Sequence, residues 1–315
     1  MKFFHKYWIL SILSILLIVG CSNNANTNDS ANSNSDEESS GAFTVVDDRG
    51  VEVTFDKIPE TIVSLQPSNT EILFELGVGE RIIGVTKYDF YPEQALEIEK
   101  VSDLSTVNIE RIVEMHPDIV FAYTSGSDDQ INQLENVGLK VFVIKSASSI
   151  EDIYGDIRQL ANVMGVEDKG EKVISDIQSQ IDAVREKTEA IPQKKKVYFE
   201  ISPAPDIWSI GSGTFQQELI SAAGVENIYG DQQGWFSVSE EDILTRNPEA
   251  IITTVNYGDD PIAEINSRNG WSSVTAIQNK AVYFLNPDIL DRPGPRIGEA
   301  VEIIASSIYP ELFNK

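Results

Sequence analysis

Cysteine and histidine are nearly missing from this chain of 315 residues: Cys21 is the one cysteine, and the histidines are His5 and His116. A lone cysteine builds no disulfide framework, no CxxC redox pair and no thiolate metal cluster. With His5 in a leader segment, His116 cannot supply a multi-histidine zinc or manganese site. A Ser-His-Asp or Cys-His hydrolase would have to be built on that single imidazole, and no GxSxG, P-loop or GxGxxG pattern occurs. Positive charge is also scarce, with 24 Lys and Arg against 50 Asp and Glu and a formal net charge of −26. A surface that acidic repels phosphate backbones, which excludes nucleic acid as a partner. Apolar side chains are plentiful: 13 Phe, 10 Tyr and a hydrophobic fraction of 41% supply a real core, so the chain is not disordered. Its length points to about two domains.

Long hydrophobic runs are missing too. The apolar stretch 7–20 follows Lys2 and Lys6, and falls short of the roughly 20 residues that a spanning helix needs. It therefore reads as the h-region of a signal peptide, residues 1–20. The run closes on Ile18-Val19-Gly20-Cys21, which resembles a lipobox, a small-residue site before a cysteine that becomes diacylated. The plainer alternative is a secretory signal with an incidental cysteine. Residues 22–41 hold six Asn, six Ser and four acids and no large apolar side chain, so 21–42 is expected to be a disordered, lipid-anchored tether.

From Phe43 onward strand-like and helix-like segments alternate. Thr44–Val46 and Val51–Phe55 predict a hairpin around Asp48-Arg49-Gly50. Short β runs are expected at Ile62–Leu65, Ile82–Val85, Ile119–Ala122 and Val141–Ile144. Ser68-Asn69-Thr70-Glu71 fits a capping box opening a helix that Gly77 closes. Residues 150–189 break the rhythm with two helical patterns, Ile150–Met164 and about Lys169–Glu189, the second carrying Val173, Ile177, Ile181 and Val184 on one stripe. Strand Val197–Ile201 then opens a second α/β unit. The expected organisation is an N-terminal α/β lobe at 43–150, a helical linker with a backbone helix at 151–191, and a C-terminal α/β lobe at 192–315. The fold class is α/β: two doubly wound lobes joined by one long helix, with a ligand cleft between them.

The second unit echoes the first. At a constant offset of 131 residues, Glu110 matches Glu241, Ile112 matches Ile243 and Pro117 matches Pro248. Each glutamate opens a short helix, where an acid is favoured by the helix dipole. A pair of carboxylates placed equivalently on two lobes also suits docking onto two cationic pockets of a partner, and is too widely spaced for paired acid–base catalysis. His116, before Pro117, reads as a histidine closing a helix rather than a metal ligand. Tyr88, Phe90 and Tyr91 in one unit and Trp208, Trp235 and Phe236 in the other fall on loops after strands, where large rings suit a large, partly apolar ligand; each ring could equally pack its own loop. Arg292, in Asp291-Arg292-Pro293-Gly294-Pro295-Arg296, either aims its guanidinium at an anionic ligand group or sits in a loop braced by an Asp291–Arg296 pair.

These residues resemble a known family. Ile62-Val63-Ser64-Leu65-Gln66-Pro67-Ser68-Asn69-Thr70-Glu71, Gly84-Val85 with Tyr88 and Tyr91-Pro92, and Asn108-Ile109-Glu110-Arg111-Ile112 with Pro117-Asp118 look like the vitamin B12 and iron-siderophore binding proteins of ABC importers. Trp235, Val238-Ser239 with Glu241, Gly270-Trp271 and the 291–296 loop continue the match, over about residues 43–313. The resemblance implies two lobes on one rigid helix and a glutamate per lobe, here Glu110 and Glu241, docking into arginine pockets of the permease. It also implies a non-enzymatic, monomeric receptor held at the extracytoplasmic face of the cell membrane through its lipid anchor alone. Its partners would be a permease with a cytoplasmic ATPase and a small-molecule metal chelate, with no intrinsic cofactor. Tyr88, Trp208 and Trp235 stand where the similar B12 binder lines its corrin pocket, whereas Leu104 and Ile289 fall where that protein carries tryptophans. The 291–296 loop looks more like siderophore or haem binders. Anionic siderophores usually meet several basic residues, and the candidate loops offer little beyond Lys87 and Arg292, so a cobalt corrinoid is favoured over a ferric siderophore or haem. A surface enzyme acting on such a chelate, a reductase or an esterase, would need a flavin site or a nucleophile–base pair.

Overall fold

The computed structural model describes residues 41–103, 105–123 and 128–313. The leader, Cys21, nearly all of the polar tether and Leu104 lie outside the described residues. A hairpin, β1 (Phe43–Val46) and β2 (Glu52–Phe55), leads into β3 (Ile62–Ser64), α1 (Pro67–Glu75), β4 (Ile82–Thr86), β5 (Glu99–Ser102), α2 (Ile109–Met115), β6 (Ile119–Tyr123), α3 (Asp128–Asn136) and β7 (Val141–Ile144). Two helices follow, α4 (Ile150–Met164) and α5 (Glu167–Thr188). The second half runs β8 (Lys196–Ser202), β9 (Trp208–Ile210), α6 (Phe215–Ala222), β10 (Glu226–Asn227), β11 (Trp235–Ser237), α7 (Glu240–Arg246) and β12 (Ala250–Thr253). It closes with α8 (Pro261–Ser267), α9 (Thr275–Gln278), β13 (Val282–Phe284), α10 (Pro287–Leu290), α11 (Ile297–Ile308) and α12 (Pro310–Phe313).

The first half forms an all-parallel sheet in the order β5-β4-β3-β6-β7. The second forms a mixed sheet, β11-β9-β8-β12-β13, with β10 also on β8; β8, β12 and β13 are parallel, β9 runs antiparallel to β8, and β11 runs antiparallel to β9. Interior strand β6, buried from Ile119 to Ala122, and even edge strand β7, buried throughout, are covered on both faces, which is why they read as unbroken apolar runs.

Alternation along these strands sorts the core into layers. Phe121, Phe142, Ile144, Val197, Phe199 and Ile252 join one cluster that continues through α4, α5, α6 and α11. Their strand neighbours point the other way: Val120, Val141 and Val143 into an aliphatic cluster of the N-terminal lobe, Tyr198 and Ile251 into a separate cluster of the C-terminal lobe. Because the first cluster spans both sheets, the lobes share a core instead of meeting at a thin hinge. The 22-residue α5, about 33 Å long, lies along it, burying Val173, Ile174, Ile177, Ile181 and Val184.

Three local expectations fail. Helix α1 starts at Pro67, its N-cap Gln66 makes no side-chain bond, and Glu71 does not turn back to cap it. Trp208 and Trp235 lie on β9 and β11, not on loops. Phe236 packs edge-on against Tyr229, with ring centroids 5.3 Å apart, so it belongs to the core.

Candidate functional site

The loop after β4 is built around Asp89, which is fully buried. Its Oδ2 accepts the Thr86 amide at 2.8 Å and the Thr86 hydroxyl at 2.5 Å. Burial pushes this carboxyl above its ordinary range, against the pull of the bonds from Thr70 and Thr86 and the nearby charge of Arg292. With the loop pinned from inside, Tyr88, Phe90 and Tyr91 are turned out, 39%, 52% and 45% exposed. Lys87 covers the Tyr88 ring at 5.2 Å and pairs with Asp103 at 3.3 Å. Bonds from Ser105 and the Thr106 amide hold the Asp103 carboxyl down at about 2, so that partner stays ionised.

In the C-terminal lobe the β9–β11 pair sets Trp208 opposite Ser237 and Trp235 opposite Ile210. Opposed residues share a face, as do residues two apart, so both indoles stand on one side of this ribbon. Each is about two-fifths exposed. The sequence reading missed two further exposed rings: Tyr257, after β12, and Phe284, at the end of β13. Their signal was position alone, an aromatic at or just past the carboxyl end of a parallel strand. The Tyr257 hydroxyl lies 3.5 Å from that of Ser202, a register partner of Trp208.

What joins the two sets of strand ends is Arg292. Its Nη2 donates to the Tyr88 carbonyl at 2.8 Å and pairs with Asp288 at 2.6 Å, and its Nη1 reaches Glu71 at 3.2 Å. Arg296 grips the same Glu71 through two bonds of 2.8 and 2.7 Å. The Asp291–Arg296 brace therefore does not form; Asp291 instead accepts from Gln216 at 3.4 Å. Arg292 is not a bare cation aimed at a ligand, since two carboxylates already balance it.

Glu110 and Glu241 occupy the first turns of α2 and α7, both exposed. Each helix has seven residues and a side-chain N-cap, Asn108 accepting from Arg111 and Ser239 from Asp242. Each stops at a left-handed residue, His116 with φ 49° and Asn247 with φ 45°. Neighbouring charges are spent: Arg111 pairs with Glu99 and Glu114, Glu240 accepts from the Trp271 indole, and Asp242 pairs with Arg246. Among the described residues the side chains of Glu110 and Glu241 have no such partner. No group of three or more His, Cys, Asp or Glu among the described residues is placed to hold a metal ion, and no described helix is long and apolar enough to cross a membrane.

Two α/β lobes joined by α4 and α5, with Arg292 of the second reaching Glu71 and the Tyr88 carbonyl of the first, are the architecture of a substrate-binding protein. The chain belongs to the periplasmic binding protein family, whose model matches residues 62–289. It is 36% identical over 313 residues to an uncharacterised ABC transporter substrate-binding lipoprotein, YvrC, of Bacillus subtilis, covering 98% of each chain. It is 30% identical over 250 residues to the vitamin B12-binding protein of Vibrio cholerae, covering 78% of this chain and 88% of that one. Among solved structures, a possible iron-binding, periplasmic solute-binding protein of Staphylococcus epidermidis superposes with a TM-score of 0.73 at 32% identity, covering 80% of this chain and 100% of that one.

Proposed function

We propose that this chain is the extracytoplasmic receptor of an ABC importer, anchored through a lipid on Cys21, which captures a corrinoid between its lobes and hands it to a permease. The observation that carries the ligand class is the charge balance of the cleft. Tyr88, Trp208, Trp235, Tyr257 and Phe284 offer large exposed rings, while Lys87 is paired with Asp103 and Arg292 with Glu71 and Asp288. A chelate carrying several negative charges needs unpaired cations to offset its desolvation. A corrin macrocycle, broad, flat and apolar at its edge, asks instead for aromatic faces. The relative named as a B12-binding protein supports the same ligand. A ferric siderophore or haem is the second reading, favoured by the relative named as possibly iron-binding.

Glu110 and Glu241 carry the delivery step in this reading. Their carboxylates are exposed and uncommitted, so each is free to enter a cationic pocket without first breaking a bond of its own.

The test is a tryptophan-fluorescence titration of the protein with cyanocobalamin. Saturable quenching, lost in Trp235→Ala, is the expected result. Without a saturable change the corrinoid is excluded, and ferric siderophores and haem are titrated next.

A further inference from the structure

We propose that Glu71 is the positioning residue of the ligand cleft: through Arg292 and Arg296 it ties the loop after β4 to the loop after β13 and so sets the separation of the lobes. The inference rests on the cleft as the binding site, but not on which chelate enters it.

Glu71 stands in α1 of the N-terminal lobe with its side chain 1% exposed. Both cations that neutralise it come from the other lobe, more than 200 residues along the chain, and they are themselves only 13% and 14% exposed. Arg296 makes the two-pronged contact that a guanidinium offers a carboxylate. Burial works against its charge, and Glu71 more than compensates, leaving the guanidinium above its ordinary value. Arg296 also donates to the Asp288 carbonyl at 2.6 Å and lies 4.1 Å from the Tyr91 ring centre. Arg292 divides its donors among Glu71, Asp288 and the Tyr88 carbonyl, with Phe90 6.0 Å away.

The result is a clasp whose centre is a buried anion and whose arms hold the backbone that presents Tyr88. Every arm of the clasp is a group of the chain itself. A receptor clasped in this way meets its ligand with Tyr88 already in place, and little ordering remains to be done on binding.

Hydrogen exchange of the full-length protein, with no ligand added, tests the clasp. Glu71→Gln leaves two guanidiniums without their buried anion. Arg292→Gln is the milder variant, because the Glu71–Arg296 pair survives. Both are expected to speed exchange of the 86–91 amides about tenfold while the amides of β6 and β12 keep their rates, the signature of a local opening. Cyanocobalamin affinity is expected to fall by about tenfold in each, which is 1.4 kcal/mol. A residue that only stabilised the fold would speed exchange in the strands as well. If Glu71→Gln exchanges fast throughout, Arg292→Gln decides. Unchanged 86–91 exchange in Arg292→Gln overturns the proposal. Absence of cyanocobalamin binding by the parent protein overturns the corrinoid reading instead, and leaves the exchange result standing.

Discussion

The clusters on the far faces of the two sheets surround the same helix–strand unit and are filled with different chemistry. Behind the N-terminal sheet, Ile112 of α2 packs among Val63, Leu65, Val101, Val120, Ile131 and Leu134, all aliphatic. Behind the C-terminal sheet, the matching Ile243 of α7 meets Tyr198, Tyr229 and Trp271, and a buried ion pair lies beside them. Arg268 clamps Glu200 at 2.7 and 2.9 Å, reaches Glu264 at 2.6 Å, and lies 4.7 Å from the Trp271 ring centre. Yet α2 and α7 agree in length, cap and left-handed stop. What the two lobes hold in common is the presentation of Glu110 and Glu241; what lies beneath is free to differ so long as it is packed and its charges are paired.

The largest effect that sharpens this comparison is at the surface. Glu110→Ala with Glu241→Ala is expected to abolish cyanocobalamin uptake by cells while the purified protein keeps its affinity. Each single change should reduce uptake to a similar degree, because the repeat offers the two carboxylates equally. A loss of affinity with uptake tracking it would show that these residues serve the ligand, not the permease.

Beneath the surface the lobes should part company. Arg268→Met strands a buried Glu200 and is expected to cost about 3–5 kcal/mol, read from chemical denaturation. Changing both to Met should recover most of that loss, since a well-packed apolar pair replaces a buried ionic one at little net cost. Ile112→Ala removes methylenes without uncovering a charge, and about 2–5 kcal/mol is expected, with no partner substitution able to restore it. Equal recovery in both lobes would break the contrast drawn above.

How much of this was legible in the sequence depends on how far apart the interacting residues stand. Ile119–Ala122 and Val141–Ile144 declare themselves as buried strands through their apolar runs, the alternation with helices makes them parallel, and Ile150–Met164 reads as a helix. Strand β5, Glu-Lys-Val-Ser, is too polar to be read. The β9–β11 ribbon reads as loops in the sequence because three-residue strands give alternation nothing to work with. The clasp was invisible for a different reason. Local chemistry alone pairs Glu71 with the nearest helix start and Arg296 with the nearest acid. Their true partnership spans 225 residues, and only the packed core that brings α1 against the 291–296 loop creates it.

The smallest effect contrasts two buried acids. Glu200 has Arg268; Asp156, on α4 at 6% exposure, has no ion-pair partner among the described residues. It lines a cavity of about 470 Å³ with Asp48, Lys145, Glu151 and Asp152. Burial first, then the charges of Asp48 and Asp152, push its carboxyl up to about 8. An acid whose folded value lies above its unfolded one is protonated in the native state over that interval, while the unfolded chain has already released the proton. Stability contributed by this group is therefore present at acid pH, falls as pH rises from about 4 toward 8, and is flat beyond. Asp156→Asn keeps the shape and abolishes the titration. The variant should match the parent's melting temperature near pH 4 and exceed it by several degrees near pH 8, whereas Arg268→Met should lie below the parent at both. Parallel melting profiles for parent and Asp156→Asn across that range would mean that Asp156 is ionised in the native protein, with Lys145 or solvent in the cavity supplying the compensation that the fold otherwise denies it.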